Sequence, residues 1–107
     1  MTLMYGLSVQ TIEAIRSVLQ SYPGVEKAVL YGSRAKGNFR TGSDIDLTLE
    51  GNTLDFKILF RIEEDLDELM LPYKIDLSLL RYIQSPGLLE EIERTGQVFY
   101  EKDSKAF

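Results

Sequence analysis

Three aspartates stand in segments whose other residues give no reason for charge: Asp44 and Asp46 in Ser43-Asp44-Ile45-Asp46-Leu47, and Asp76 in Lys74-Ile75-Asp76-Leu77. Both segments alternate. Ile45, Leu47 and Leu49 point one way and Asp44, Asp46, Thr48 and Glu50 the other, while Ile75, Leu77 and Leu79 oppose Lys74, Asp76 and Ser78. This is the period-two pattern of strands with one covered face. If the two strands are neighbours, the carboxylates come within reach of one another, and like charges about 4 Å apart repel by roughly 4 kcal/mol at an effective dielectric near 20. Something positive has to sit among them. The chain has 107 residues, with no Cys and no His, which removes thiol and imidazole chemistry and leaves oxygen donors. Hard oxygen donors suit Mg²⁺ or Mn²⁺, and Mg²⁺ commonly takes a few carboxylates together with substrate phosphates. Such a cage beside a phosphate points to phosphoryl or nucleotidyl transfer.

Ten residues separate Asp44 from a holder for the phosphate, Gly32-Ser33. Glycine lets the backbone come close to a ligand, and Ser33 is expected to cap a helical turn whose N–H groups face an anion. Arg34 and Lys36 are the nearby cations that would add charge.

The elements that must position these residues follow from periodicity. Ser8 with Ile12, Ile15, Val18 and Leu19 predicts a first helix over 8–21, stopped by Pro23-Gly24. Val25 to Tyr31 reads as a buried strand ending in Gly32-Ser33, followed by a short helical turn and a loop over 33–43. Asp44 to Glu50 is the first acidic strand. Leu54, Ile58, Leu59, Ile62, Leu66 and Leu69 predict the longest helix, over 53–70, closed by Pro72. Its Glu63, Glu64, Asp65, Asp67 and Glu68 spread around the helix and belong to solvent rather than to a metal. Lys74 to Leu79 is the second acidic strand, Ser85-Pro86 opens a last helix that Gly96 ends, and Gln97 to Tyr100 adds a short terminal strand. Helices alternating with strands give an α/β (α+β) fold, a small β-sheet with helices packed on it, in one domain over residues 1–107.

Gly32-Ser33-Arg34-Ala35-Lys36-Gly37 with Ser43-Asp44-Ile45-Asp46-Leu47 resembles the Gly-Ser-x10-Asp-x-Asp motif of the minimal nucleotidyltransferases, in the DNA polymerase beta superfamily, and Lys74-Ile75-Asp76-Leu77 resembles its third-carboxylate strand. The resemblance covers essentially the whole chain and implies a mixed β-sheet with flanking helices, the nucleotidyltransferase fold. It implies that Gly32 and Ser33, with Arg34 nearby, grip a nucleoside triphosphate, that Asp44 and Asp46 bind two Mg²⁺ ions, and that Asp76 ligates one of them and helps activate the attacking hydroxyl. The implied reaction moves a nucleoside monophosphate, AMP from ATP, onto an acceptor hydroxyl. Only 31 residues follow Asp76, so the acceptor site is expected to be completed by a second protein. The resemblance names a small helical HEPN-family protein, with this chain as the antitoxin of a toxin–antitoxin pair. Two other readings fit the same residues: a nucleotide-binding or steric antitoxin without turnover, and a catalytic subunit that modifies a small hydroxylated molecule.

Composition excludes other classes. Lys+Arg number 12 against 17 Asp+Glu, for a net charge of −5, which opposes binding to a DNA duplex. No basic leader precedes an apolar run and no run approaches a membrane-spanning length, so a cytoplasmic chain is expected. Six Tyr and five Phe are many for this size, and Tyr5, Phe39, Tyr82, Phe99 and Tyr100 are candidates for a partner-facing surface.

Overall fold

The two periodicities, two for strands and 3.6 for helices, resolve in a computed structural model that describes residues 3–102. Helix α1, Val9–Gln20, starts where Ser8 accepts the Thr11 N–H at 3.1 Å, and it buries Ile12, Ile15 and Leu19. Strand β1, Lys27–Tyr31, runs straight into the short helix α2, Ser33–Lys36. Strand β2, Ile45–Glu50, is followed by α3, Phe56–Asp67, and by β3, Ile75–Leu79. A 3-10 turn at Leu80–Tyr82 then leads to α4, Pro86–Thr95, and to β4, Gln97–Glu101.

The sheet has the order β3-β2-β1-β4. Strand β1 is antiparallel to both β2 and β4, whereas β2 and β3 are parallel. A parallel pair needs a crossover, and α3 supplies it. Ala28, Leu30, Ile45, Leu47, Leu49, Leu77, Leu79 and Phe99 form the sheet's covered face, packed with the buried stripes of α1 and α3 into one core. Each such Leu or Ile contributes about 1.5–3 kcal/mol on burial, so this face fixes which way the alternate residues must point. Those alternates, Tyr31, Asp46, Thr48, Asp76 and Ser78, occupy the opposite face, which α4 partly roofs through Ile92 near Val29 and Val98.

Several boundaries differ from expectation for local reasons. Helix α3 is shorter than the predicted 53–70, because Asp55 is the N-cap, accepting the Ile58 N–H at 2.9 Å, and Leu54 is buried ahead of the helix rather than within it. At the other end Met70 adopts a positive φ of 56°, outside helical geometry. Strand β1 begins two residues later than predicted, since the Val25 N–H is used in a turn to the Tyr22 carbonyl at 3.0 Å. Phe99 is a core residue, 1% exposed, and not part of a surface; Phe56 and Phe60, at 52% and 60%, are the exposed aromatics that were not anticipated. Tyr82 is exposed as expected, while Tyr5, Phe39 and Tyr100 are half-buried.

Candidate active site

Strand register assembles the site. Asp46 and Asp76 occupy the same rung of the parallel β2–β3 ladder, and Tyr31 of β1 lies across from Asp46 on the other side. Residues paired on one rung share a face, so Tyr31, Asp46 and Asp76 form a row across three strands. Asp44, two residues before Asp46, lies on the same side and is exposed, as is Asp76. Two rungs further in, the Ser78 hydroxyl donates to the hydroxyl of fully buried Thr48 at 3.0 Å, pinning the two strands together beneath the carboxylates. The site is thus an open shelf with a closed floor.

Electrostatics mark Asp46 as the centre of the group. Burial first, then the Asp76, Asp44 and Glu91 carboxylates, hold its carboxyl above the usual carboxylate range. The Tyr31 phenol is pushed up as well, mainly by burial and further by Asp46, Asp76 and Glu91, with the Ser78 hydroxyl beside it acting in the opposite direction. Among the described residues no ion pair engages Asp44, Asp46 or Asp76, so the group lacks a protein cation to neutralise it. Nor does any set of three or more acidic side chains among the described residues converge closely enough to hold a metal unaided. One or two carboxylates completed by phosphate oxygens and water are the usual donors for Mg²⁺, and the chemistry of this donor set fits that ion.

The Gly32-Ser33 turn abuts the same shelf. Gly32 has φ 78° and ψ −157°, a combination open essentially to glycine alone. A Cβ there would collide with a carboxylate oxygen of Asp46. The glycine therefore lets the turn press against Asp46. It is also the N-cap of α2, so Ser33 is the first helical residue and not the cap expected of it, and no side chain caps that helix. The N–H groups of a first helical turn have no intrahelical acceptors.

Arg34 does not join this set. It is 3% exposed, with Nε and Nη2 donating to the Ser43 carbonyl at 3.1 and 2.9 Å and Nη1 donating to the Tyr5 carbonyl at 2.8 Å. The rings of Phe39 and Tyr73 lie 5.2 and 4.9 Å from the guanidinium carbon. A cation so enclosed has no open side for a phosphate. Lys36 is exposed and pairs with Glu91 at 3.6 Å, which ties α2 to α4. Glu91 and Tyr31 were missed from sequence. Tyr31 carried one usable signal, its place at the strand end directly before Gly32, whereas Glu91 is one acid among Glu90, Glu91 and Glu93 on a helix of ordinary amphipathic pattern.

Comparisons with known proteins bear on the fold and the family. A family model described as polymerase beta, nucleotidyltransferase matches residues 13–105. No curated protein sequence matches significantly. Among solved structures, the fold is similar to a chain of a toxin–antitoxin complex with AMP-PNP, at TM-score 0.68 and 23% identity over 86% of this chain and 74% of that one. It is similar to a chain of the MntA–HepT toxin–antitoxin structure, at 0.65 and 21% over 89% and 74%. A third neighbour comes from the complex of tri-AMPylated Shewanella oneidensis HEPN toxin with MNT antitoxin, at 0.64 and 21% over 87% and 71%. The structural likeness shows a shared fold, and the family model covers most of the sequence: the chain belongs to the polymerase beta nucleotidyltransferase family.

Proposed function

We propose that this chain, as one nucleotidyltransferase domain over residues 1–107, transfers AMP from ATP to a hydroxyl of a HEPN-family partner protein in the cytoplasm, with Mg²⁺ or Mn²⁺. The observation that carries the reading is the common rung of Asp46 and Asp76, with Asp44 on the same side and Gly32 pressed against Asp46. The partner and the nucleotide are supported by the neighbours, one a complex with AMP-PNP and another an AMPylated HEPN toxin held by its antitoxin.

In the reaction, the acceptor oxygen forms a bond to the α-phosphorus, the bond from that phosphorus to the bridging oxygen of the β-phosphate breaks, and pyrophosphate leaves. Gly32 and Ser33 offer the backbone N–H groups and the hydroxyl that orient the triphosphate. Asp44 and Asp46 would hold the divalent ions, and Asp76 would ligate one of them and take the proton of the acceptor hydroxyl. When bound, the ions supply neutralisation of the triphosphate and a lowered pKa of the acceptor hydroxyl. Catalysis is then positioning and electrostatics, the usual division of labour in phosphoryl transfer, and it needs no histidine.

The test is incubation with α-labelled ATP and Mg²⁺, with and without the product of the adjacent gene, followed by location of the label. Label on the partner, lost in Asp46→Asn and Asp76→Asn, is the expected result. Pyrophosphate release without protein labelling would instead favour a small hydroxylated acceptor. A tight complex that neither labels its partner nor releases pyrophosphate would leave the chain as a steric antitoxin.

A further inference from the structure

Arg34 lies one residue after the Gly32-Ser33 turn, and its guanidinium grips the Ser43 carbonyl through two donors. That carbonyl belongs to the peptide group joining Ser43 to Asp44. On the other side of Asp44, the Ile45 N–H donates to the Lys74 carbonyl at 2.9 Å, the start of the β2–β3 pairing. Asp44 therefore sits between two anchors, one set by the sheet and one by Arg34. The segment between α2 and Asp44 is otherwise held by Phe39, whose ring lies against Gly6 and the same guanidinium. Gly37 and Gly42 take positive φ values of 85° and 86° with nothing packed where a Cβ would lie, and its internal hydrogen bonds are short-range, Asn38 N–H to Ser33 and Ser43 N–H to Arg40.

We propose that Arg34 is a positioning residue, fixing Asp44 relative to the Gly32-Ser33 turn so that a divalent cation can be shared between the carboxylates and a nucleotide's phosphates. The inference rests on the nucleotidyl-transfer reading of the site. A guanidinium suits this task because its planar fork gives two parallel donors to one carbonyl and a third in another direction. Phe39 and Tyr73 close its two faces, and burial makes any arrangement that breaks the three hydrogen bonds costly. A lysine could supply charge but not the fork.

The experiment compares Arg34→Lys with Arg81→Met, which removes a different arginine clip, to the Asn52 and Leu54 carbonyls at the far end of β2. Two quantities are read besides the melting temperature: amide hydrogen exchange over residues 37–44 in the metal-free protein, and the Mg²⁺ concentration that half-saturates AMP-PNP binding. Arg34→Lys is expected to speed exchange over that segment and to raise the Mg²⁺ half-saturation about tenfold or more, the usual effect of removing a group that orients a metal ligand. Arg81→Met is expected to lower the melting temperature while leaving both readouts alone. A folded Arg34→Lys with wild-type half-saturation overturns the proposal. Should Arg34→Lys not fold, Phe39→Leu, which keeps the guanidinium but loosens one of its walls, decides: a raised half-saturation supports the proposal and an unchanged one overturns it. Asp46→Asn with an unaltered Mg²⁺ requirement would instead remove the reading on which the proposal rests.

Discussion

Asp46 concentrates the conflict between folding and function in one side chain. Its carboxyl is held above the usual value of 3.8 by burial and by Asp76, Asp44 and Glu91, so the folded protein binds its proton more tightly than the unfolded chain does. By linkage, the stability associated with this group is greatest below 3.8 and is lost as pH rises through the raised folded-state value. At neutral pH the charge is a strain that a bound cation, or removal of the charge, relieves. In metal-free buffer at pH 7, Asp46→Asn should therefore melt at a higher temperature than wild type, and the difference should shrink as pH falls into the carboxylate range. Mg²⁺ should raise the melting temperature of wild type and not that of the variant. A variant that melts lower than wild type at neutral pH would show that Asp46 is an ordinary paired carboxylate. Gly32 meets the same carboxylate from the other side. Gly32→Ala has to leave a backbone region closed to alanine and also displace Asp46, so it should cost about 2 kcal/mol of stability and abolish labelling. Urea unfolding and the α-labelled ATP assay check the two parts, and a stable, active Gly32→Ala would refute the close approach.

At the level of elements, α1 and α3 are clasped on the covered side of the sheet by Tyr22, whose hydroxyl donates to Asp65. That hydrogen bond, followed by burial, pushes the phenol from 10.0 up to about 12. The clasp is fully present below pH 10 and is lost as pH rises through about 12. Tyr22→Phe should lower stability by about 1 kcal/mol in urea unfolding at pH 7, with no change in Mg²⁺-dependent nucleotide binding, because the clasp lies across the sheet from the carboxylates. An equal loss at pH 7 and above pH 12 would refute the assignment. Asp65 shows where sequence reading succeeds and where it stops. Its place in a solvent-facing acidic run is evident from helical periodicity, but its partner is 43 residues away, and no local pattern names a partner at that distance. The same limit explains α3 itself. The apolar stripe extends through Leu54 and Leu69, so periodicity alone overruns both ends, while the true start is set by Asp55 as a cap and the true end by the backbone of Met70. The two acidic strands were legible because alternation is local. Their adjacency was conditional on sheet order, which depends on α3 crossing over to make β2 and β3 parallel. Arg34 was legible as a cation beside the motif, but its burial arises from Tyr5, Phe39 and Tyr73, three separate segments that no spacing brings together.

For the whole molecule, charge decides how a nucleotide can approach. The chain carries −5, and Asp44, Asp46, Asp76 and Glu91 are gathered at one end of the sheet, with Glu91 already paired to Lys36. A triphosphate brings several negative charges to that end, and each like-charge pair at about 8 Å costs roughly 2 kcal/mol at an effective dielectric near 20. Proteins that hold phosphate backbones with clustered Lys and Arg lose affinity as salt is added. Here the sign should reverse when divalent ions are removed, because added salt screens repulsion instead of attraction. In EDTA, ATP binding should be weak and should strengthen, or at least not weaken, as NaCl rises from low to moderate concentration. In Mg²⁺ it should be much tighter and should weaken over the same range. Isothermal titration at two salt concentrations, with and without Mg²⁺, measures all four conditions on the unmodified chain. Tight binding in EDTA that falls with salt would mean that cationic side chains hold the phosphates, in which case the carboxylate shelf is not where the nucleotide sits.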